Sequence, residues 1–144
     1  MKNKYLIDTN LLITALTSFE TPEKKRIATE LITKHITEKS LILSTQNYTE
    51  FVNVVKNKLK CITDKELKEV VKNLNATIET ITPGPNTIQE ALDLSITKKM
   101  NFYDALLIQT MLDNKVFTIY TETPEVYYKI KEIKVINPFK KLKK

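Results

Sequence analysis

Three carboxylates stand where an ordinary surface acid would not be expected. Asp8 directly follows the apolar run Tyr5-Leu6-Ile7, and Glu50 comes shortly after a second such run, Leu41-Ile42-Leu43. Asp104 sits inside Phe102-Tyr103-Asp104-Ala105-Leu106-Leu107-Ile108, a stretch that is apolar nearly all round. Each also has a plain structural explanation. Asp8 suits the N-cap of a following helix, and Thr9 can fill the same role, which would free Asp8 to point beyond the strand end. Glu50, with Asn53 and Asn57 at helical spacing, suits a solvated helix face. Asp104 suits a cap, with Asn101 close by. Left in apolar surroundings, a lone carboxylate costs roughly several kcal/mol unless a lysine, a cap hydrogen bond or a metal compensates. Brought together, three carboxylates repel, and some would hold protons near neutrality. A divalent cation removes that conflict and supplies a reaction, since it activates a bound water and offsets charge on a phosphodiester.

The composition excludes most other chemistries. With Gly84 as the single glycine, neither a P-loop nor a dinucleotide fingerprint can form. Cys61 and His35, each alone of its kind, cannot supply a zinc site. Any catalytic triad would have to run through His35. One cysteine forms no internal disulfide, which fits a reducing compartment. Cys61 and His35 are expected to be structural or surface residues. Carboxylates remain plentiful, and they select hard cations such as magnesium or manganese.

The formal net charge is +6, from 23 Lys+Arg against 17 Asp+Glu. Lys140, Lys141, Lys143 and Lys144 crowd the C-terminus, and without these four the count is 19 against 17. That basic tail, residues 140–144, is expected to be solvated or to touch an anionic partner. Arg26 is the only arginine, so backbone contacts to a nucleic acid would be mostly lysine point charges. Lys56, Lys58 and Lys60 after Glu50, and Lys98 and Lys99 before Asp104, are the lysines placed to line a groove, although surface lysines are commonly just solvated. Tyr103, beside Asp104, is the tyrosine best placed for base stacking, although core packing is the commoner fate. No apolar run approaches the roughly 20 residues that span a bilayer. The apolar stretch from Met1 to Leu16 is interrupted by Asp8 and Asn10, unlike a secretory leader. The expectation is a cytoplasmic protein of one domain.

The elements that must position these acids follow from pattern and caps. Tyr5-Leu6-Ile7 reads as a buried strand, followed by a helix through Leu16. Thr21 as cap and Pro22 at the first position open a second helix with Ile27, Leu31 and Ile32 on one face. A strand at Leu41-Ile42-Leu43 leads through Ser44 or Thr45, as cap, into a helix reaching Leu59. Thr63 to Glu66 is a capping box for a helix carrying Leu67, Val70, Val71 and Leu74. A third strand spans residues 77–81. After Pro83-Gly84-Pro85, helices run from about Thr87 and from Tyr103 to Asn114. A fourth strand spans residues 116–120 and a fifth residues 134–136. Short apolar strands alternating with helices give an α/β fold with a mainly parallel five-stranded sheet flanked by helices, whose functional groups gather beyond the carboxyl ends of the strands.

In this order the segments resemble the PIN-domain nucleases, in particular the VapC-like toxins of bacterial toxin-antitoxin pairs. Ile7-Asp8-Thr9-Asn10 resembles the opening acidic motif. Ser44-Thr45-Gln46-Asn47-Tyr48-Thr49-Glu50-Phe51 resembles the segment with the second acid, and Asn101 to Leu107 the helix with the third, with Tyr103 where the family often has Trp. Ile119-Tyr120-Thr121-Glu122 and Val135-Ile136-Asn137-Pro138-Phe139 are similar to later family segments. The resemblance implies a single PIN-like domain over residues 1–139 and a Mg²⁺- or Mn²⁺-dependent endoribonuclease. Asp8, Glu50 and Asp104 would hold the metal, directly or through waters, with Thr9, Asn10, Thr121, Glu122 and Thr123 in support. It further implies in-line attack by water leaving a 5′-phosphate, a homodimer, and an antitoxin protein whose tail enters the acidic pocket. Thr123 is a departure, because the family commonly carries Asp there; its hydroxyl can hold a metal-bound water but brings no charge. Glu122 is offset by one residue at a strand end, a position that usually points elsewhere.

Thr123 motivates a second reading, a catalytically weak or inactive PIN-like module that binds RNA or protein without cleaving. A third class, carboxylate-based phosphotransfer, lacks its patterns. Haloacid-type phosphatases need a second Asp where Asn10 stands, and no acidic pair precedes a strand as in receiver domains.

Overall fold

The computed structural model describes residues 3–140, so the tail from Lys141 to Lys144 lies outside the described residues. Among these described residues five strands form one sheet in the order β3-β2-β1-β4-β5, with every pairing parallel. They are β1 (Tyr5–Ile7), β2 (Leu41–Ser44), β3 (Glu79–Ile81), β4 (Thr118–Tyr120) and β5 (Lys134–Ile136). Among the described residues six α-helices accompany them: α1 (Thr9–Leu16), α2 (Pro22–Thr37), α3 (Thr45–Asn53), α4 (Asp64–Thr77), α5 (Pro85–Lys98) and α6 (Phe102–Asp113). Parallel neighbours require crossovers, which the helices supply.

The three inner strands are buried on both faces, and their side chains divide by the period of two. Ile7, Leu41, Leu43 and Tyr120 join a core with α1, α2, α3 and α4. Leu6, Ile42 and Ile119 join a second core with Leu107, Ile108 and Met111 of α6. This double burial is why the strands read as short continuous apolar runs rather than alternating ones. Helix α6 is apolar nearly all round for a related reason. Its Ala105 and Leu106 pack with Ala91 of α5, while its other side faces the sheet.

Several boundaries differ from the sequence expectation. Helix α5 begins at Pro85 rather than Thr87, because proline is preset for the first helical position. Helix α6 begins at Phe102, with the Asn101 side chain accepting from the Tyr103 N–H at 2.8 Å. The third strand starts at Glu79 because α4 runs on to Thr77, and the fourth starts at Thr118. The helix after β2 is not uniform: beyond Asn53 it becomes a π-helical segment over Val54–Leu59. Among the described residues no helix is long and apolar enough to cross a membrane.

Candidate metal-dependent active site

Strand β1 lies between β2 and β4, so the chain leaves the sheet in opposite directions on either side of it. A crevice beyond the carboxyl ends is expected at such a point. Register fills it. Ile7 pairs with Tyr120, which sets the next residues, Asp8 and Thr121, side by side. Asp8 N–H donates to the Tyr120 carbonyl at 3.0 Å, and the Thr121 hydroxyl donates to Asp8 Oδ2 at 2.8 Å. Asp8 Oδ1 accepts from the Thr9 N–H at 2.7 Å, so Asp8 itself caps α1. The two explanations of Asp8 are therefore compatible: one carboxylate both caps the helix and faces the crevice.

Thr9 does not serve as the cap. It occupies the first position of α1, and its hydroxyl donates to Glu50 Oε1 at 3.2 Å. Glu50 arrives on α3, which starts straight from β2 through a capping box between Ser44 and Asn47. Asp104 arrives in the first turn of α6. It is half-buried rather than enclosed, because the α6 N-terminus opens onto the crevice. The desolvation expected from its apolar surroundings is correspondingly smaller.

Asp8, Glu50 and Asp104 line one cavity of about 330 Å³ together with Gln46, Tyr103 and Thr123. Gln46 Nε2 donates to the Tyr103 carbonyl at 3.1 Å, linking α3 to α6 at the rim. Tyr103 is 63% exposed, not packed in the core. Among the described residues no lysine lines the cavity. Lys56 instead borders a separate groove, and the carbonyls of Lys98 and Lys99 are capped by Lys129.

Of the residues expected in support, Thr9 and Thr121 bond to the carboxylates and Thr123 lines the cavity. The Thr123 N–H donates to Thr121 Oγ1 at 3.1 Å, which holds the loop against the strand end. Asn10 is exposed and is not among the lining residues. Glu122 turns away to pair with Lys24, the direction its one-residue offset implied. Gln46 and Leu107 escaped the sequence as lining residues, and so did Glu125, Val126 and Tyr127, on a 3₁₀ segment over Glu125–Lys129. Such a segment has no apolar periodicity, and Glu125 lies two residues beyond Thr123, where the sequence reading of this loop stops.

Burial pushes the carboxyl pKa of Asp8, Glu50 and Asp104 upward in every case. For Asp8 the Thr121 hydroxyl and the Thr9 N–H work against burial, while the charge of Asp104 adds to it. For Glu50 the Thr9 hydroxyl opposes burial, and both Asp8 and Asp104 reinforce it. Burial also raises the Tyr127 phenol, and the three carboxylates raise it further, so it remains a neutral OH. Among the described residues no group of three or more His, Cys, Asp or Glu side chains closes tightly enough to form a ready-made cage for a metal ion. The donors are all hard oxygens, carboxylate and hydroxyl, around a cavity with room for water. That set fits a cation such as magnesium, which keeps several waters and takes only one or two carboxylates directly.

Comparison with known proteins agrees in fold. The family model described as PIN domain matches residues 5–132. Among solved structures, a toxin-antitoxin complex from Klebsiella pneumoniae is 17% identical, with 94% of this chain and 98% of that one covered and a TM-score of 0.67. VapC20 of Mycobacterium tuberculosis, described as a Sarcin-Ricin loop cleaving toxin, is 11% identical over 87% of this chain and 94% of that one, with a TM-score of 0.69. DNA-bound VapBC from Salmonella typhimurium is 14% identical over 93% and 97%, with a TM-score of 0.68. No curated protein matches the chain.

Proposed function

The chain belongs to the PIN domain family, and from that premise we propose that it is a metal-dependent endoribonuclease, the toxin of a toxin-antitoxin pair. The observation that carries this reading is the convergence of Asp8, Glu50 and Asp104, from three separate elements, on one cavity at the carboxyl ends of β1 and β2. Raised carboxyl pKa values from burial and mutual repulsion are what an acidic site built for a cation has before the cation arrives. Likeness to VapC20, a toxin described as cleaving the Sarcin-Ricin loop, favours RNA as substrate.

Asp8, Glu50 and Asp104 would hold Mg²⁺ or Mn²⁺, some of them through waters. Such an ion, when bound, lowers the pKa of water and offsets charge on the phosphodiester. Asp8 is fixed at both oxygens by Thr121 and the Thr9 N–H, so it presents its remaining lone pairs in a set direction. Glu50 is steadied by Thr9. Thr123, with a hydroxyl and no charge, orients water at the rim. In-line attack by water on the phosphorus breaks the P–O3′ bond, and with a proton passed to the departing oxygen it leaves a 5′-phosphate and a 3′-hydroxyl. Tyr103, exposed beside Asp104, offers a surface on which a base can stack.

The partner is an antitoxin, as the neighbouring toxin-antitoxin complexes suggest. An open apolar groove of about 590 Å³ between α3 and α4 is lined by Val52, Leu67 and Val71, with Lys68 and Lys72 beside it and Lys56 paired to Asp64, and suits an amphipathic segment whose acids meet Lys68 and Lys72. The protein acts in the cytoplasm as a homodimer. Ile88, Leu92 and Ile96 form an exposed stripe at four-residue spacing on α5, which suits a second copy. The test is expression of wild type and Asp104→Asn in the host. Growth arrest and RNA cleavage by the wild type alone are expected. Equal cleavage by the folded variant would refute the assignment.

A further inference from the structure

A buried amide stands behind the carboxylates. Asn47 is 0% exposed, in the first turn of α3 and three residues before Glu50. Its Oδ1 accepts from the Ser44 backbone N–H at 2.8 Å and from the Ser44 hydroxyl at 2.9 Å. A backbone N–H can only donate, so this contact fixes which end of the amide is oxygen. The other end, Nδ2, is then a donor to Thr9 Oγ1 at 3.1 Å. The Thr9 hydroxyl has one proton. With a lone pair taken by Asn47, that proton is directed to Glu50 Oε1 at 3.2 Å. Thr9 opens its helix, so no helical carbonyl four residues back competes for the proton.

We infer that Asn47 is a positioning residue: the Ser44 backbone sets the polarity of its amide, the amide aims the Thr9 hydroxyl, and the hydroxyl fixes the Glu50 carboxylate relative to Asp8. The polarity runs one way through four residues and begins at a group that cannot reverse. Glu50 needs this support because it reaches the cavity from an exposed face of α3 on a flexible side chain. Asn47 touches neither the cavity nor a substrate and acts only through Thr9. The inference rests on the proposed cation-dependent site for its consequence, but the relay itself belongs to the metal-free protein.

The experiment reads the relay first without metal. In the wild type, side-chain NMR should show a slowly exchanging Thr9 hydroxyl proton close to the Asn47 amide protons, and a single Glu50 rotamer. Thr9→Val should release Glu50 into rotamer averaging, while Thr9→Ser should keep it ordered. Asn47→Asp offers an acceptor where the donor was, draws the Thr9 proton away, and should also release Glu50 although Thr9 is intact. A merely structural asparagine would lower stability and leave the Glu50 rotamer unchanged. Mn²⁺ affinity, followed by the spin resonance of the free ion, should then fall about 10- to 100-fold in Thr9→Val, and the double variant should be no weaker than the worse single one. Glu50 ordered as in wild type in Thr9→Val, or Thr9→Ser behaving like Thr9→Val, overturns the relay, and both tests stand even if Asn47→Asp does not fold. Loss of Glu50 order in a protein whose wild type binds no Mn²⁺ sustains the relay and refutes the metal-site reading.

Discussion

Replacing Asp104 by asparagine separates the electrostatics of the cavity from its folding. Asp104 accepts no hydrogen bond from another described residue, burial raises its pKa, and its charge raises those of Asp8 and Glu50. The folded carboxyl thus keeps its proton to higher pH than the unfolded one, whose pKa is near 3.9. Stability contributed by this group falls as pH climbs from the unfolded value to the folded one, and the deficit is constant above. Asparagine removes the deficit. Relief of two like-charge interactions at a partly exposed site is worth about 0.2–1 kcal/mol each. Loss of a negative charge from the first turn of α6 costs about 0.3–1 kcal/mol. The variant should therefore be more stable by about 0.5 kcal/mol at neutral pH without metal, with the advantage gone by about pH 4. Manganese should reverse the order. At a concentration of 100 Kd the wild type gains about 2.7 kcal/mol, and a variant binding about 100-fold more weakly gains about 0.4. The wild type should then lead by about 2 kcal/mol, or about 5 °C in Tm for a domain of this size. Urea and thermal unfolding with and without Mn²⁺, at pH 7 and pH 4, read all of this. A metal-free variant less stable than wild type at pH 7, or equal Mn²⁺ shifts in the two proteins, refutes this electrostatic role of Asp104.

Other substitutions probe separate parts of the molecule. Thr123→Asp adds a fourth charge at the rim, so metal-free stability should fall by about 0.2–1 kcal/mol while Mn²⁺ binds about tenfold more tightly; calorimetric titration showing neither change contradicts this. Tyr120→Phe removes the hydroxyl 3.0 Å from buried His35 Nε2, whose other nitrogen meets Ser40 Oγ at 2.8 Å. It should cost about 1–3 kcal/mol in urea unfolding and leave cleavage per folded molecule unchanged, since neither His35 nor Tyr120 lines the cavity.

What was legible in the sequence was the part written in local pattern. Asp8 could be placed because a strand end directly precedes it, and Glu50 because a strand, a cap and a helix follow in unbroken succession. The parallel sheet was legible because its inner strands are buried on both faces, as Leu6 and Ile7 are by opposite cores. Asp104 was located but its burial overstated. The apolar surroundings in sequence belong to the sides of α6 that meet α5 and the sheet, not to the turn that opens on the cavity. Glu125 and Tyr127 were missed because a 3₁₀ segment carries no period. Asn47 looked like a helix residue near a cap, and only the meeting of α1 with α3 gives its amide a second partner.

RNA cleavage by this acidic cavity with a bound divalent cation is the proposed activity. The most direct measurement incubates purified protein with mixed RNAs in Mn²⁺, in chelator, and in Mn²⁺ with Glu50→Gln, and then examines the fragment ends. Fragments with 5′-phosphates are expected in Mn²⁺ alone, and intact RNA in the other two. Cleavage in chelator, undiminished cleavage by folded Glu50→Gln, or RNA binding with no cleavage under any metal would contradict a metal-dependent nuclease site.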